Sequence, residues 1–172
     1  VYHNSMRFEQ ARGWYENAYD ILNACQPYNG FYELWRMQAI HKLARMARSD
    51  GENEKALKLL KECEIAMDKF IEDNPDTPLY NHRKKYIIAL EKAKVYFQEG
   101  KNEQVLEICK SLEKKYSKEE NANEQYFLVE LKSMQSRAYL TMGNSKKAEK
   151  LADYCVKKSK KMRGKTSKET LG

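Results

Sequence analysis

A short motif that recurs four times along the chain limits the possible fold more than any other feature. In each copy, a glycine is followed five positions later by a small or β-branched residue. The four copies are Gly13–Ala18, Gly51–Ala56, Gly100–Val105 and Gly143–Ala148. One such match arises by chance. Four matches that share further apolar positions when aligned on the glycines indicate an internal repeat.

Each copy lies between two stretches with the apolar periodicity of an α-helix. Glycine ends a helix well because it accepts positive φ at the position after the helix end. Asn53, Asn102 and Ser145 follow the last three glycines by two residues and are predicted to cap the next helices. The pattern therefore predicts three full helix hairpins and a partial one at the N-terminus. Their first helices are expected at about 2–12, 31–49, 79–99 and 122–142, and their second helices at about 15–25, 53–73, 102–116 and 145–162.

Composition favours the same all-α fold of antiparallel helix hairpins. The chain has only seven Gly and three Pro in 172 residues, too few for the many turns of a β-sandwich or barrel. Four repeat units are expected, at about 1–28, 29–76, 77–117 and 118–162, with a tail at 163–172. No apolar run approaches the ~20 residues that cross a bilayer, so no transmembrane segment is expected.

The net charge of +7 is concentrated at the C-terminus. Residues 157–172 contain seven Lys or Arg and a single Glu. A nucleic-acid-binding body would spread its positive charge over a face, so nucleic acid is the less favoured partner. The tail at 163–172 is expected to be disordered or a linker. The charges of residues 157–172 could contact anionic lipid or nucleic acid. Alternatively, Lys157 to Lys161 only complement the dipole of the last helix and keep it soluble, and this alternative is favoured.

The four cysteines are predicted to be buried, free thiols. Cys25, Cys63 and Cys155 occupy one repeat position, and none of the four forms a C-x-x-C pair or has a His at zinc-ligand spacing. Equivalent positions in neighbouring repeats are expected ~8–10 Å apart, too far for a disulfide. Reduced thiols favour a cytoplasmic location, and no metal site is expected.

The repeated positions resemble the tetratricopeptide repeat, a helix–turn–helix unit with small, glycine and aromatic signature positions. The units are stretched, because the glycines lie 38, 49 and 43 residues apart rather than ~34. The resemblance covers about residues 1–162 and implies a right-handed superhelix whose concave groove binds peptides. The matching residues are the four glycines, Ala18, Ala56, Ala148, Tyr96 and Tyr139, with Val105 as a substitution.

A basic column is the most informative feature for function. Six residues before each glycine stand Arg7, Arg45, Lys94 and Arg137, and the resemblance places this position on the concave groove. His41 lies four residues before Arg45, on the same helical face. Together these residues predict a site for an acidic or carboxylate-bearing partner. The alternative is a set of solvated or internally paired charges, in a chain with 32 Lys and Arg.

No catalytic motif is present: the chain lacks a nucleophile elbow, a zinc-protease helix, a P-loop and a dinucleotide fingerprint. We therefore expect a non-enzymatic module without a cofactor, which binds a peptide or a partner domain. The first alternative is the extracytoplasmic sensory region of a membrane-bound signalling protein, in which case the location would be periplasmic. The second is a nucleic-acid contact through the basic tail, recognisable by steep salt dependence.

Overall fold

The computed structural model describes residues 2–24, 30–74, 78–116 and 122–169. These ranges are helical apart from short turns and contain no strand, so the prediction of an all-α chain is confirmed. The helices are α1 (Tyr2–Ala24), α2 (Gly30–Ser49), α3 (Asn53–Asp73), α4 (Pro78–Gln98), α5 (Asn102–Tyr116), α6 (Ala122–Thr141) and α7 (Ser145–Glu169). Helix α1 packs against α2, α2 against α3, α5 against α6, and α6 against α7.

Two expectations at the ends of the chain are wrong. Gly13 does not end a helix, because α1 continues through it from Tyr2 to Ala24. An interior glycine costs a helix only ~1 kcal/mol relative to alanine, and Gly13 has no Asn or Ser within the next two residues to start a new helix. The predicted end of the last helix at about residue 162 is also wrong, because the backbone of α7 continues to Glu169. Residues 170–172 lie outside the described part.

The three other glycines end their helices as predicted. Gly51, Gly100 and Gly143 have φ values of 81°, 73° and 77°. The Gly51 N–H donates to the Arg48 carbonyl at 3.1 Å, and the Glu52 N–H donates to the Ala47 carbonyl at 2.8 Å. This pair of bonds defines a Schellman motif, and both recur at the same offsets at Gly100 and Gly143. The repeat is therefore present in backbone geometry at three turns.

The predicted helix caps are wrong by one residue. Helix α3 begins at Asn53, and the residue at its N-cap is Glu52, which makes no side-chain capping bond. In α7 the capping oxygen is Oδ1 of Asn144, which accepts from the Lys147 N–H at 3.3 Å, one residue before the predicted Ser145. The turn therefore uses one residue fewer than expected before the next helix starts.

The chain divides into two compact units, residues 1–95 and 96–172, and the boundary falls inside α4. In the first unit α2 and α3 are antiparallel, since the Cys63 thiol donates to the Met37 carbonyl at 3.6 Å while Ala47 and Glu52 meet at the turn. The core of this unit is apolar and comes from α2, α3 and α4. Its buried members include Ile40, Ala44, Leu60, Met67, Ile88 and Val95.

A polar network attaches α1 to this core. The Tyr19 hydroxyl donates to the Glu62 carboxylate of α3 at 3.0 Å. The same carboxylate accepts from Arg36 of α2 at 3.0 Å, and Arg36 also pairs with Glu33 at 2.7 Å. One carboxylate therefore joins three helices.

The second unit repeats the geometry of the α2–α3 hairpin. The Cys155 thiol of α7 donates to the Val129 carbonyl of α6 at 3.4 Å. Relative to the turn glycine, Cys155 and Val129 occupy the same positions as Cys63 and Met37 in the first unit. Lys132 and Gln135 of α6 both bond to Glu113 of α5, which joins the third helix of the unit.

The thiol prediction is confirmed for two cysteines. Cys63 and Cys109 are buried and form no disulfide, whereas Cys155 also forms no disulfide but is only half-buried. Cys25 lies outside the described residues. Among the described helices, none combines the length and the apolar character that a bilayer span requires.

Candidate partner-binding site on α2 and α4

Three cationic side chains converge on one carboxylate in the first unit. Lys94 Nζ lies 2.9 Å and Arg45 Nε 3.8 Å from Glu91 Oε1, and Arg48 Nε lies 3.3 Å from Glu91 Oε2. Arg45 and Arg48 come from α2, and Glu91 and Lys94 from α4. These four residues are called the Glu91 cluster below. They tie α2 to α4 in addition to the apolar core.

Local sequence explains why the charges meet here. Arg45 and Arg48 are three residues apart on α2, as are Glu91 and Lys94 on α4, so each pair shares a helical face. Glu91 stands among the apolar residues of α4, between Ile88 and Val95, which are both buried. Its side chain is therefore only 6% exposed, while Arg45 is 48% exposed. The carboxylate is held inside, and the guanidinium of Arg45 reaches solvent.

The cations keep Glu91 ionised despite its burial. Burial alone raises the pKa of Glu91, because it disfavours the charged form. The hydrogen bond from Lys94 and the charges of Lys94, Arg48 and Arg45 act in the opposite direction and prevail. The pKa of Glu91 consequently lies below its ordinary value of 4.5. At neutral pH the cluster holds three positive charges and one negative charge.

An apolar pocket lies beside the cluster, among α2, α3 and α4. It has a volume of about 40 Å³. A space of this size exceeds the ~10–15 Å³ that one water needs and suits a small part of a ligand, such as the end of a side chain. His41 and Gln38 supply its polar atoms. Its other lining residues are Leu34, Met37, Cys63, Met67, Ile87 and Ile88.

The pocket and the cluster share one face of α2. His41, which lines the pocket, stands four residues before Arg45, about 6 Å along the helix axis. On α4, Ile87 of the pocket stands four residues before Glu91. The apolar and cationic parts therefore follow each other along the same two helices.

The structure brings together some residues of the basic column. Arg45 and Lys94 contact the same carboxylate oxygen, so their nitrogens lie closer than one ~10 Å repeat width, and both are paired within the chain. Arg7 is exposed on α1. Arg137 belongs to the second unit, where its exposed guanidinium lies 4.4 Å from the centre of the Phe97 ring. Partner binding by these residues stays a prediction.

Sequence patterns alone missed Glu91 and Arg48. A signal for Glu91 was present: it is a lone carboxylate within the apolar stretch of α4, three residues before a lysine. Its partners could not be identified from the sequence, since Arg45 and Arg48 lie more than forty residues away along the chain.

Comparison of the chain with known protein families, curated proteins and solved structures finds no match.

Proposed function

We propose that this chain is a tetratricopeptide-like repeat protein of the right-handed superhelical type, and that the α2–α4 face binds an acidic segment of a partner protein. The repeat assignment is supported by three Schellman turns with the same hydrogen bonds and by thiol–carbonyl contacts at equivalent positions in two hairpins. The right-handed superhelix is proposed only from the resemblance to the tetratricopeptide repeat.

The excess of cations in the Glu91 cluster carries the binding proposal. Glu91 is the carboxylate that Arg45, Arg48 and Lys94 share, which leaves a formal charge of +2 on these four residues. Because Glu91 is buried while Arg45 is half exposed, an incoming anion meets the cations first. A second carboxylate, supplied by a partner, would lower this formal charge to +1 and accept hydrogen bonds from Arg45.

The neighbouring pocket defines the rest of the ligand. An extended peptide advances ~3.3 Å per residue, and the pocket and Arg45 are separated by about 6 Å along α2. A peptide with an apolar side chain about two residues from an Asp or Glu therefore fits both parts. The apolar side chain would enter the pocket, and the carboxylate would meet Arg45.

The expected affinity is modest. A charge-assisted hydrogen bond in a partly dry site contributes ~1.5–3 kcal/mol, and burial of an apolar side chain contributes ~1.5–3 kcal/mol. Ordering the peptide opposes both terms. Together the two terms supply ~3–6 kcal/mol, so they alone give Kd values no tighter than about 40 μM.

Selection from a random peptide library on the purified protein tests the proposal. We expect enrichment of peptides with an apolar residue close to Asp or Glu. In the variant Arg45→Glu, such peptides should bind at least about tenfold more weakly, with unchanged helicity by circular dichroism. Lys58→Glu is the matched control, because Lys58 is exposed on α3 and the change in net charge is identical. Equal affinity of Arg45→Glu and wild type would refute the proposal.

A further inference from the structure

Helix α7 presents lysines on the side opposite to its packed face. Its packed side is identified by Ala148, whose carbonyl accepts from Ser136 of α6, and by Cys155, whose thiol bonds to Val129 of α6. At 100° per residue, the opposite side holds five exposed lysines over about 22 Å of helix. These residues, called the lysine face below, are Lys146, Lys150, Lys157, Lys160 and Lys161.

The charge along α7 is strongly unbalanced toward its C-terminus. After Asp153 the next carboxylate in the sequence is Glu169, and seven Lys or Arg stand between them. Like charges three or four residues apart, such as Lys157 with Lys160 and Lys161, each destabilise a helix by a few tenths of a kcal/mol. The helix dipole offsets this repulsion only in the last turn. The backbone is nevertheless helical to Glu169.

A helix that breaks the usual charge rule over three turns indicates a site at which a ligand removes the repulsion. The ligand must be a polyanion, because the lysines follow each other along the helix and do not surround one point. Salt bridges within α7 do not neutralise the lysine face. The N-terminal half of the helix contains two carboxylates, Glu149 and Asp153, against the five lysines.

We propose that the lysine face of α7 binds the phosphodiester backbone of a nucleic acid. A helix that lies on a membrane needs a free apolar face beside its charges. The apolar side of α7 that carries Ala148 and Cys155 contacts α6 instead, and Val156 is the exposed large apolar side chain among its described residues. Phosphates along a nucleic acid strand supply a row of charges that matches the row of lysines. Lysines act as point charges without the planar geometry of base recognition, so binding should not depend on sequence.

The packing of α7 against α6 fixes the direction of these charges. All five lysines lie in the part of α7 that the sequence predicts as helical, 145–162. In α7 they are held on one side by the contacts of Ala148 and Cys155 with α6. This inference does not depend on the function proposed for α2 and α4, which lies in the other unit.

Fluorescence anisotropy with a labelled 20-base-pair DNA duplex and a single-stranded RNA of equal length tests the inference. Four phosphate contacts predict a slope of about −3.6 for log K against log salt on the duplex, which is about 150-fold weaker binding at 200 mM than at 50 mM salt. The variant Lys150→Glu/Lys157→Glu should lose most of the affinity and at least half of the slope. The control Lys58→Glu/Lys61→Glu changes exposed lysines of α3 and should alter affinity less than about threefold.

Three outcomes would overturn the inference. The first is no binding to either nucleic acid at 50 mM salt. The second is an equal loss of affinity in the α7 variant and the α3 control, which would mean that net charge alone matters. The third is tighter binding to vesicles of phosphatidylserine and phosphatidylcholine than to nucleic acid, which would assign the lysine face to a membrane surface.

Discussion

Alanine substitution of two glycines should change stability in opposite directions, although both glycines belong to the same sequence motif. Gly13 lies inside α1, whereas Gly51 ends α2 with a φ of 81°. A Cβ atom built on either glycine meets no other atom within 4 Å. A new Cβ atom therefore causes no steric clash at either site, and the two sites differ only in backbone conformation.

The magnitudes follow from that difference. In Gly13→Ala, a helix-interior glycine is replaced, and the free energy of unfolding should rise by ~0.5–1 kcal/mol. In Gly51→Ala, the left-handed conformation costs an L-residue ~1–2 kcal/mol, which the reduced entropy of the unfolded chain offsets by ~0.4–1 kcal/mol. We expect a net loss of about 1 kcal/mol. Gly51→Asn should lose less than Gly51→Ala, because asparagine tolerates positive φ better despite its larger size.

Urea unfolding followed by circular dichroism measures these differences as shifts of the midpoint at constant slope. Gly100→Ala serves as a second turn variant, since Gly100 has a φ of 73° and equally open surroundings. If Gly51→Ala and Gly13→Ala shift the midpoint in the same direction, the assignment of Gly51 to a left-handed turn is wrong. A larger loss for Gly51→Asn than for Gly51→Ala would also contradict the reasoning, because it would point to crowding.

Two further predictions concern buried groups. Glu91→Gln leaves Arg45, Arg48 and Lys94 without their shared carboxylate and should lower the free energy of unfolding by ~1–3 kcal/mol at pH 7. The folded pKa of Glu91 lies below 4.5, so its contribution is complete above about pH 5 and is lost as the pH falls through the folded pKa. The stabilities of wild type and Glu91→Gln should therefore converge in acid. Burial, followed by the charge of Glu113, raises the pKa of Cys109 to about 12, so a thiol reagent at pH 8 should label the half-buried Cys155 well before Cys109 in native protein. Equal rates for these two thiols would contradict their assigned burial.

The order of helices was predictable because local rules and tertiary packing agree over most of the chain. Glycine after an apolar helical stretch, with Asn or Ser within two residues, identified the turns at Gly51, Gly100 and Gly143. At Gly13 the motif was present without a capping residue. Ala18 matches the small residue of the repeat, but the sequence around it forms a helix, so α1 continues through Gly13.

The candidate site was predictable only in part, because it depends on pairs distant in sequence. The repeat register placed Arg45 and Lys94 at equivalent positions, and both lie at the α2–α4 face. The carboxylate that joins them, Glu91, is buried by packing of α4 against α2 and α3, which no local pattern encodes. The end of α7 was missed for a related reason: charge composition favoured disorder, whereas the helix that begins at Ser145 continues to Glu169.

An NMR titration tests the central claim most directly. The Nε–H resonances of Arg45 and Arg48 report on the Glu91 cluster, and backbone amides report on the rest of the chain. A library-selected acidic peptide should shift both arginine resonances and the amides of α2 and α4 with one common Kd, and the same peptide with Gln in place of its acidic residue should not. Shifts confined to α6 and α7, or arginine resonances that stay unchanged while the peptide binds, would contradict the assignment of this face as the partner-binding site.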